Sequence, residues 1–298
     1  MNKDRKYTKI QPNEYPLSLA KSKYAPKQLY VMGTLPASET PLVGIAMVGT
    51  RRPSNSAREL CRRLVFSLKG TNAVIVSGLA QGIDSLCHEA ALDAGLPTIA
   101  VLAQGFNTNV EGSRGDLLER ILKEGSCAVT EFDPETPAYK SNFPSRNRII
   151  SGLSSTVVIV QSKTKGGALI TADFCRAEKK NLLAVPGDFD NEVASGPNRL
   201  LDEAKATPVF VPESLRKLAG IQEPDSVSLG SLARTGCTLT PEAKSLFSKM
   251  RGFRKTIGDL ERDCHLDAPK LLAILTELEI AGLAHTSDNF MFHFNGAE

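Results

Sequence analysis

The chain lacks the sequence features of several common classes of protein. No apolar run approaches the roughly twenty residues of a membrane span, and no apolar stretch follows the basic residues 1–6 to form a signal peptide. The six cysteines form no CxxC pair, so buried free thiols in a reducing cytoplasm are favoured over disulfides or a zinc site. These absences predict a cytoplasmic protein with no membrane anchor and no structural metal.

The usual signatures of nucleotide-binding and hydrolytic enzymes are also missing. The absence of GxGxxG leaves a standard dinucleotide site unsupported, and the absence of GxxxxGK[ST] excludes a phosphate-binding ATPase loop. No serine lies in GxSxG, and no pair of carboxylates has the pattern of a general acid and base. Asp84 and His88 stand four residues apart and could hold a metal ion, but no third ligand is evident. We therefore predict no catalytic residue, no cofactor and no bound metal.

Length and composition indicate an ordinary globular protein of two domains. A chain of 298 residues is long for one hydrophobic core, and 41% hydrophobic with 23% charged side chains is typical of such proteins. The net charge of +3 is spread unevenly, because residues 1–211 hold 26 basic and 21 acidic side chains whereas residues 212–298 hold 10 and 12. The larger, N-terminal part is therefore the one suited to a polyanion.

Apolar segments alternate with helical patterns from residue 43 to residue 185. Near-continuous apolar strands that alternate with helices are typical of a parallel sheet covered on both faces. The pattern predicts a doubly wound, mainly parallel, Rossmann-like α/β sheet, whose ligands bind beyond the carboxyl ends of the strands. The predicted strands are residues 43–49, 73–76, 98–103, 127–130, 156–160 and 182–185, and the helices between them are 54–69, 82–94, 115–124 and 167–180.

The character of the sequence changes near residue 212. Residues after Pro241 follow a compact helical pattern, and Asp267-Ala268-Pro269 has the N-cap and early proline that open a helix. Three short helices followed by a hairpin predict a small C-terminal winged-helix domain. The predicted domains are an N-terminal extension that packs on the sheet domain (1–42), the Rossmann-like domain (43–211), a linker (212–239) and the winged-helix domain (240–298).

The segment 142–154 concentrates residues that bind nucleic acid. It holds Phe143, Arg146 and Arg148 among amides and hydroxyls, directly before an apolar strand. Guanidinium groups grip phosphate in a bidentate fork, and an aromatic ring stacks on a base. A solvated turn that opens a helix is the alternative interpretation, and either arginine could instead tie the segment to a carboxylate such as Asp84.

Three glycine-rich turns should lie at the same edge of the sheet as this segment. They cover residues 48–53, 77–84 and 162–168, where glycine lets the backbone approach a ligand and helix amides attract an anion. We expect Arg51, Lys140, Phe143, Arg146, Arg148 and Lys165 to border one basic pocket. The full set of predicted DNA-binding residues is Gly49, Thr50, Arg51, Arg52, Gly78, Gly82, Lys140, Asn142, Phe143, Arg146, Asn147, Arg148, Ser151, Lys165, Gly166 and Gly167.

Five motifs together resemble the DNA-processing protein A (DprA, also called Smf) family. The resemblance covers about residues 15–298 and implies binding of single-stranded DNA without sequence preference, its protection during natural transformation, and loading of a RecA-type recombinase. It also implies a homodimer through the Rossmann-like domain and no enzymatic activity. The motifs are Val48-Gly49-Thr50-Arg51, residues 77–84 with His88, residues 142–153, residues 166–172 and Val185-Pro186-Gly187.

Two other functions compete with this one. One is a nucleotide-cleaving enzyme like the LOG-type phosphoribohydrolases, whose related fold contains a double glycine and a downstream glutamate, a pattern that Gly166-Gly167 and Glu178 loosely match. A passive nucleotide-sensing Rossmann protein is the other possibility.

The tail is expected not to read duplex DNA, because residues 257–298 hold two basic and eight acidic side chains, a formal charge of −6.

Overall fold

The computed structural model describes residues 6–35, 43–221, 239–250, 254–264, 266–281, 283–287 and 291–294. The chain divides into two compact units, Met1–Ile221 and Gln222–Glu298. Within the described ranges, no helix combines the length and the apolar character needed to cross a membrane.

The first unit is built on a nine-stranded sheet in the order β1-β2-β6-β5-β4-β3-β7-β8-β9. Strands β3 to β9 pair in parallel, whereas β2 pairs antiparallel with β6 and β1 antiparallel with β2. The strands are β1 Thr8–Ile10, β2 Leu29–Gly33, β3 Val43–Gly49, β4 Ala73–Ser77, β5 Thr98–Val101, β6 Cys127–Thr130, β7 Thr156–Gln161, β8 Asn181–Ala184 and β9 Thr207–Pro208.

Helices connect these strands. They are α1 Leu17–Ala20, α2 Ala57–Phe66, α3 Ile83–Asp93, α4 Ser113–Lys123, α5 Asn142–Gly152, α6 Ala168–Ala177, α7 Ser195–Asp202 and α8 Ser214–Leu218, with short 3-10 helices at Pro12–Glu14 and Glu192–Ala194. From β3 the sheet continues through β4, β5 and β6 in one direction, and from β7 through β8 and β9 in the other. The strand order therefore reverses between β3 and β7. The predicted doubly wound, mainly parallel α/β sheet is confirmed, and this reversal is where such sheets bind ligands.

Strand β3 shows why the sheet needs helices on both faces. Its residues alternate, so Ile45 and Met47 join one buried cluster with residues of α2 and α3, while Ala46 and Val48 join another with residues of α5 and α6. Since every second side chain of a strand points to the same face, a fully apolar strand requires cover on both sides.

The first unit includes residues beyond both ends of the predicted Rossmann-like domain. Strands β1 and β2 extend the sheet past β6, and Tyr15 and Leu19 are buried in its core. At the other end, Leu215 of α8 and Ile221 are buried in the cluster that contains α2 and α3. Residues 212–221, predicted to be linker, therefore pack as part of the first unit, because their apolar side chains complete its core.

The second unit has its own hydrophobic core. Helices α9 Pro241–Met250, α10 Ile257–Cys264 and α11 Ala268–Ile280 pack with strands β10 Arg254–Thr256, β11 Ala284–Ser287 and β12 Met291–Phe294, which form a sheet in the order β10-β12-β11. Leu246, Leu271, Leu278 and Phe292 are buried in this core. The element order follows the one predicted for a winged-helix domain, with β10 as a strand that the sequence did not indicate.

Candidate nucleic-acid interface

A cavity of about 490 Å³ opens at the carboxyl edge of the sheet, where β3 and β7 end. We call it the edge cavity. Its walls are the turn after β3, residue 80 after β4, the turn after β7 and one face of α5. The lining residues are Val48, Gly49, Thr50, Arg51, Arg52, Ala80, Asp84, Phe143, Pro144, Arg146, Asn147, Ile150, Ser162, Lys163, Lys165, Gly166, Gly167, Ala168, Ile170 and Thr171.

One face of α5 supplies the aromatic and cationic side of the edge cavity. The segment predicted as a binding stretch next to a strand is a helix. Arg146 and Asn147 lie three and four residues after Phe143, and Ile150 lies four and three residues after them. Residues at this spacing share a helix face, and all four line the edge cavity. Arg148 lies two residues from Arg146 and therefore points elsewhere.

Gly49 and Gly82 allow the turns after β3 and β4 to pack closely against each other. A Cβ atom on Gly49 would lie 2.5 Å from Ile83 Cγ1, and one on Gly82 would lie 2.4 Å from Thr50 O. Gly82 also has a φ of +91°, which disfavours any other residue. The amide of Ile83 donates to Thr50 O at 3.2 Å. These close contacts fix the turn that carries Arg51 against the start of α3.

Arg51 stacks on Phe143 across the mouth of the edge cavity. The guanidinium carbon lies 4.8 Å from the ring centroid, which is the geometry of a cation–π contact. Arg51 is exposed and Phe143 is half-buried. A positive charge and an aromatic face are therefore held together before any ligand arrives.

Arg146 is a buried guanidinium that braces the base of the edge cavity. It is 3% exposed, and its Nη1 donates to Gly78 O at 2.7 Å and to Val101 O. A Cβ atom on Gly78 would lie 2.5 Å from Arg146 Nη2, so this glycine makes room for the guanidinium. Burial lowers the pKa of Arg146 to about 10, against the opposing effect of Asp84, which leaves it charged at neutral pH.

Asp84 is the buried counter-charge of Arg146. Its Oδ2 accepts from Gly78 N at 3.2 Å. Burial raises its pKa, while Arg146 and the backbone donors act in the opposite direction. Arg146 therefore acts on Asp84 through its charge, while its own hydrogen bonds to Gly78 O and Val101 O hold α5 against the turn after β4.

His88 lies in the core below this pair and is not arranged as a metal ligand. Its Nδ1 is 2.7 Å from Thr98 Oγ1, and burial lowers its pKa from 6.5 to about 3. Throughout the described ranges, no group of three or more His, Cys, Asp or Glu side chains is placed to hold a metal ion.

The start of α6 forms the opposite wall. Gly167 is its N-cap, and a Cβ atom there would meet nothing within 4 Å, so the backbone is open to the edge cavity. Lys165 is exposed beside it. Lys163 also lines the edge cavity but is paired with Glu192 at 2.6 Å.

Several residues predicted for the site lie outside the edge cavity. Arg148 forms an ion pair with Glu131 and donates to Tyr24 O, because its position on α5 directs it towards the N-terminal segment. Asn142 is buried and donates to Ala103 O at 3.1 Å. Ser151 is fully buried, and Lys140 is exposed but does not line the edge cavity. The expected shared pocket therefore includes Arg51, Phe143, Arg146 and Lys165, without Lys140 and Arg148.

The structure also brings in residues that the sequence predictions did not select. Ala80, Asp84, Pro144, Lys163, Ile170 and Thr171 all line the edge cavity. Thr171 could have been found from spacing alone, since it lies four residues after Gly167 and so shares its helix face. The lining role of Ala80 and Ile170 depends on tertiary packing and left no such signal.

Glu178, the carboxylate required by the phosphoribohydrolase alternative, lies at the far end of α6. Ten helical residues separate it from Gly167, which corresponds to roughly 15 Å at about 1.5 Å per residue. Its Oε1 accepts from Ser22 Oγ at 2.6 Å and from Lys23 N at 2.8 Å. The carboxylate therefore anchors the N-terminal segment and does not reach the edge cavity.

Comparison with known proteins connects the first unit to one family. The family model described as DNA recombination-mediator protein A matches residues 6–219. The chain is 37% identical over 199 residues to DNA processing protein DprA of Bacillus subtilis (strain 168). The aligned residues make up 66% of this chain and 66% of that protein. The chain is 35% identical over 201 residues to Protein Smf of Escherichia coli (strain K12), 67% of this chain and 53% of that protein. The matches thus span less than two thirds of the length of these relatives.

A solved structure shares the fold of the first unit. DNA processing protein A from Helicobacter pylori, described for its unique single-stranded DNA binding mode, superposes with a TM-score of 0.65 at 27% identity. The match covers 74% of this chain and 99% of that one.

Proposed function

This chain belongs to the DNA recombination-mediator protein A family, and on that premise we propose that it binds single-stranded DNA without sequence preference in the edge cavity. The observation that carries the proposal is the stack of Arg51 on Phe143 at 4.8 Å. A strand that crosses this mouth meets a charge for a phosphate and a ring for a base at the same place.

Charge supports a polyanionic ligand. Arg51, Arg52 and Lys165 are exposed around the edge cavity, while the Asp84 carboxylate is buried against Arg146. The field at the rim is therefore positive. Contacts to phosphates supply affinity that does not depend on sequence and that falls as salt concentration rises.

Stacking supports a single strand over a duplex. The ring of Phe143 suits a base that is not paired, because a base in a duplex already stacks on its neighbours. Base–aromatic stacking tolerates every base, since each one has a π-face. Binding would accordingly depend on strandedness and little on sequence.

The proposed biological role follows from the family. We infer that the protein protects single-stranded DNA, hands it to a RecA-type recombinase in recombination or natural transformation, and works as a homodimer through its Rossmann-like unit. The name of the family supports a role in recombination, and the Bacillus subtilis relative is named for DNA processing. Size-exclusion chromatography with light scattering tests the dimer, and strand-exchange assays with a recombinase test the hand-over.

We further propose that the edge cavity binds its ligand without chemical conversion. Glu178 is occupied at the other end of α6, and Asp84 is buried and accepts from the Gly78 amide. Incubation with nucleoside monophosphates decides the matter, because release of free base would establish a phosphoribohydrolase. Binding of oligo(dT) without turnover supports the proposal.

The cysteines support the proposed cytoplasmic location. Cys61, Cys87, Cys127 and Cys175 are buried free thiols, and burial raises the pKa of Cys127 and of Cys175 to about 12. Free thiols without disulfides are typical of reducing compartments.

A further inference from the structure

The start of α6 carries a buried hydroxyl that has no partner. Thr171 is 1% exposed, and its Oγ1 has no hydrogen-bond partner in the part of the chain that the structure describes. A helical threonine ordinarily donates to the carbonyl four residues earlier. That carbonyl, Gly167 O, already accepts from Asn147 Nδ2 at 3.2 Å and from Ile170 N at 3.3 Å.

Thr171 differs from the other buried polar groups without a partner. In the described ranges, such an atom also occurs in His88, Glu131, Ser151 and Glu178, although the Glu178 oxygen lies 2.9 Å from Lys180 Nζ. Of these five residues, Thr171 alone lines the edge cavity. A buried hydroxyl without a partner is unfavourable, so its placement in the wall of a cavity points to a ligand that completes it.

The surroundings of Thr171 select an anion. It lies in the first turn of α6, a helix of ten residues whose N-cap Gly167 is open to the edge cavity. The amides of Leu169 and Ile170 donate to Gly166 O and Gly167 O, whereas those of Gly167 and Ala168 have no acceptor within the described ranges. The helix dipole adds positive potential at this end. Lys165, which carries an ammonium group, comes just before this turn in the sequence and also lines the edge cavity. Anions that bind helix N-termini are commonly phosphates.

We propose that the start of α6 is a phosphate subsite in which the Thr171 hydroxyl donates to a phosphate oxygen. This inference rests on the proposed function, because it assigns one wall of the same edge cavity to a phosphate group of the bound nucleic acid. Phe143 lies on the wall formed by α5, so a nucleotide would place its base towards α5 and its phosphate towards α6. The phosphate could be an internal diester of the strand or a terminal monoester, and both have the required oxygens.

The test replaces the hydroxyl by a methyl group of the same size. Thr171→Val keeps the volume of the side chain and removes only the donor. Ser151→Ala is the matched control, because Ser151 Oγ is also buried without a partner but lies outside the edge cavity. Urea unfolding of both variants establishes that they fold.

Two kinds of ligand are titrated into the wild type and both variants. Thymidine 5′-monophosphate and thymidine, followed by NMR, isolate the phosphate, and oligo(dT) with and without a 5′-phosphate, followed by fluorescence anisotropy, separates the diester from the monoester. We expect Thr171→Val to lower the affinity for thymidine monophosphate about tenfold, the usual effect of losing a hydrogen bond to a charged group. Ser151→Ala should match the wild type. A loss for both oligonucleotides assigns the diester, and a loss for the phosphorylated one alone assigns the terminal phosphate.

Binding of thymidine monophosphate that is equal within twofold in Thr171→Val and the wild type would overturn the subsite, as would its failure to bind the wild type. The failure of the proposed function looks different. In that case the wild type does not bind oligo(dT), while the titration with thymidine monophosphate still decides the role of Thr171.

Discussion

Arg51 and Phe143 come from distant parts of the sequence, yet the guanidinium carbon of Arg51 lies 4.8 Å from the centroid of the Phe143 ring. The first is carried by the turn after β3 and the second by the start of α5. Arg51 therefore covers part of a ring that is itself half-buried. The charge and the ring orient each other, so their contributions to binding should be coupled.

We predict that the two residues contribute less than additively to the affinity for single-stranded DNA. Phe143→Ala should cost roughly 1–3 kcal/mol with the salt dependence intact, because stacking is not ionic. Arg51→Ala should flatten the salt slope by roughly one unit. Since either change breaks the stack, the double variant should cost about 0.5–1 kcal/mol less than the sum. Anisotropy titrations of labelled oligo(dT) at several salt concentrations measure this, and additivity within about 0.3 kcal/mol would contradict it.

Arg146 should matter more for stability than for direct contact with DNA. Removing its guanidinium leaves Asp84 buried without its counter-charge and leaves Gly78 O without a donor. Leaving a buried charge uncompensated in this way typically costs about 3–5 kcal/mol. Urea unfolding of Arg146→Ala should show a loss of that order, part of which Asp84→Asn in the same chain should restore.

Arg148→Ala is the control for that variant. Its partner Glu131 directly follows β6 and is half-buried, so the loss of stability should be smaller and the affinity of the folded variant for oligo(dT) unchanged. A loss of less than about 1 kcal/mol for Arg146→Ala would show that the buried pair is not the brace we describe.

The buried His88 should make the protein less stable in acid. Burial lowers its pKa from 6.5 to about 3, so between these values the unfolded chain binds a proton that the folded chain does not. The contribution of His88 to the free energy of unfolding is then fully present above about pH 6.5 and is lost as the pH drops towards 3. Between pH 7 and pH 5 the loss is about 2 kcal/mol. His88→Gln should remove this part of the pH dependence. Urea unfolding at both pH values provides the comparison, and identical pH profiles for variant and wild type would refute the assignment.

The second unit should contribute little to DNA affinity. Residues 257–298 carry a formal charge of −6, and Arg262, one of their two basic side chains, is paired with Asp259 at 2.5 Å. Phosphates would be repelled there, and a protein partner is the more suitable ligand. Deletion of residues 240–298 should leave the affinity for oligo(dT) nearly unchanged. A tenfold loss (about 1.4 kcal/mol) in a truncated protein that stays folded and keeps its oligomeric state would show that the tail binds DNA.

The sequence predicted the sheet well because its strands are buried on both faces. Segments such as 43–49 and 156–160 are continuous apolar runs between glycine turns, and these runs became β3 and β7. Strands β1 and β9, with three and two residues, are too short to carry a pattern. The first unit extends beyond the predicted boundary at residue 211, because α8 is a single short helix whose burial depends on the helices around it.

The candidate site was predicted in part, for a reason that lies in helix geometry. The composition of the arginine-rich segment predicts one binding surface, but a helix directs residues two positions apart to different sides. Arg146 is consequently buried beneath the edge cavity and Arg148 is paired with Glu131. Composition shows that a segment holds cations, whereas the face that each one takes depends on the secondary structure and on the neighbouring carboxylates.

Competition between single-stranded and duplex DNA tests the central claim most directly. Labelled oligo(dT) bound to the protein would be displaced by unlabelled single strands or by duplex of the same length, with the wild type and with the variant Arg51→Ala/Phe143→Ala. We predict that single strands of any sequence compete at least about tenfold better than duplex, and that the double variant binds oligo(dT) at least about tenfold more weakly than the wild type. Equal competition by duplex, or a double variant that binds as tightly as the wild type, would contradict binding of single-stranded DNA at the edge cavity.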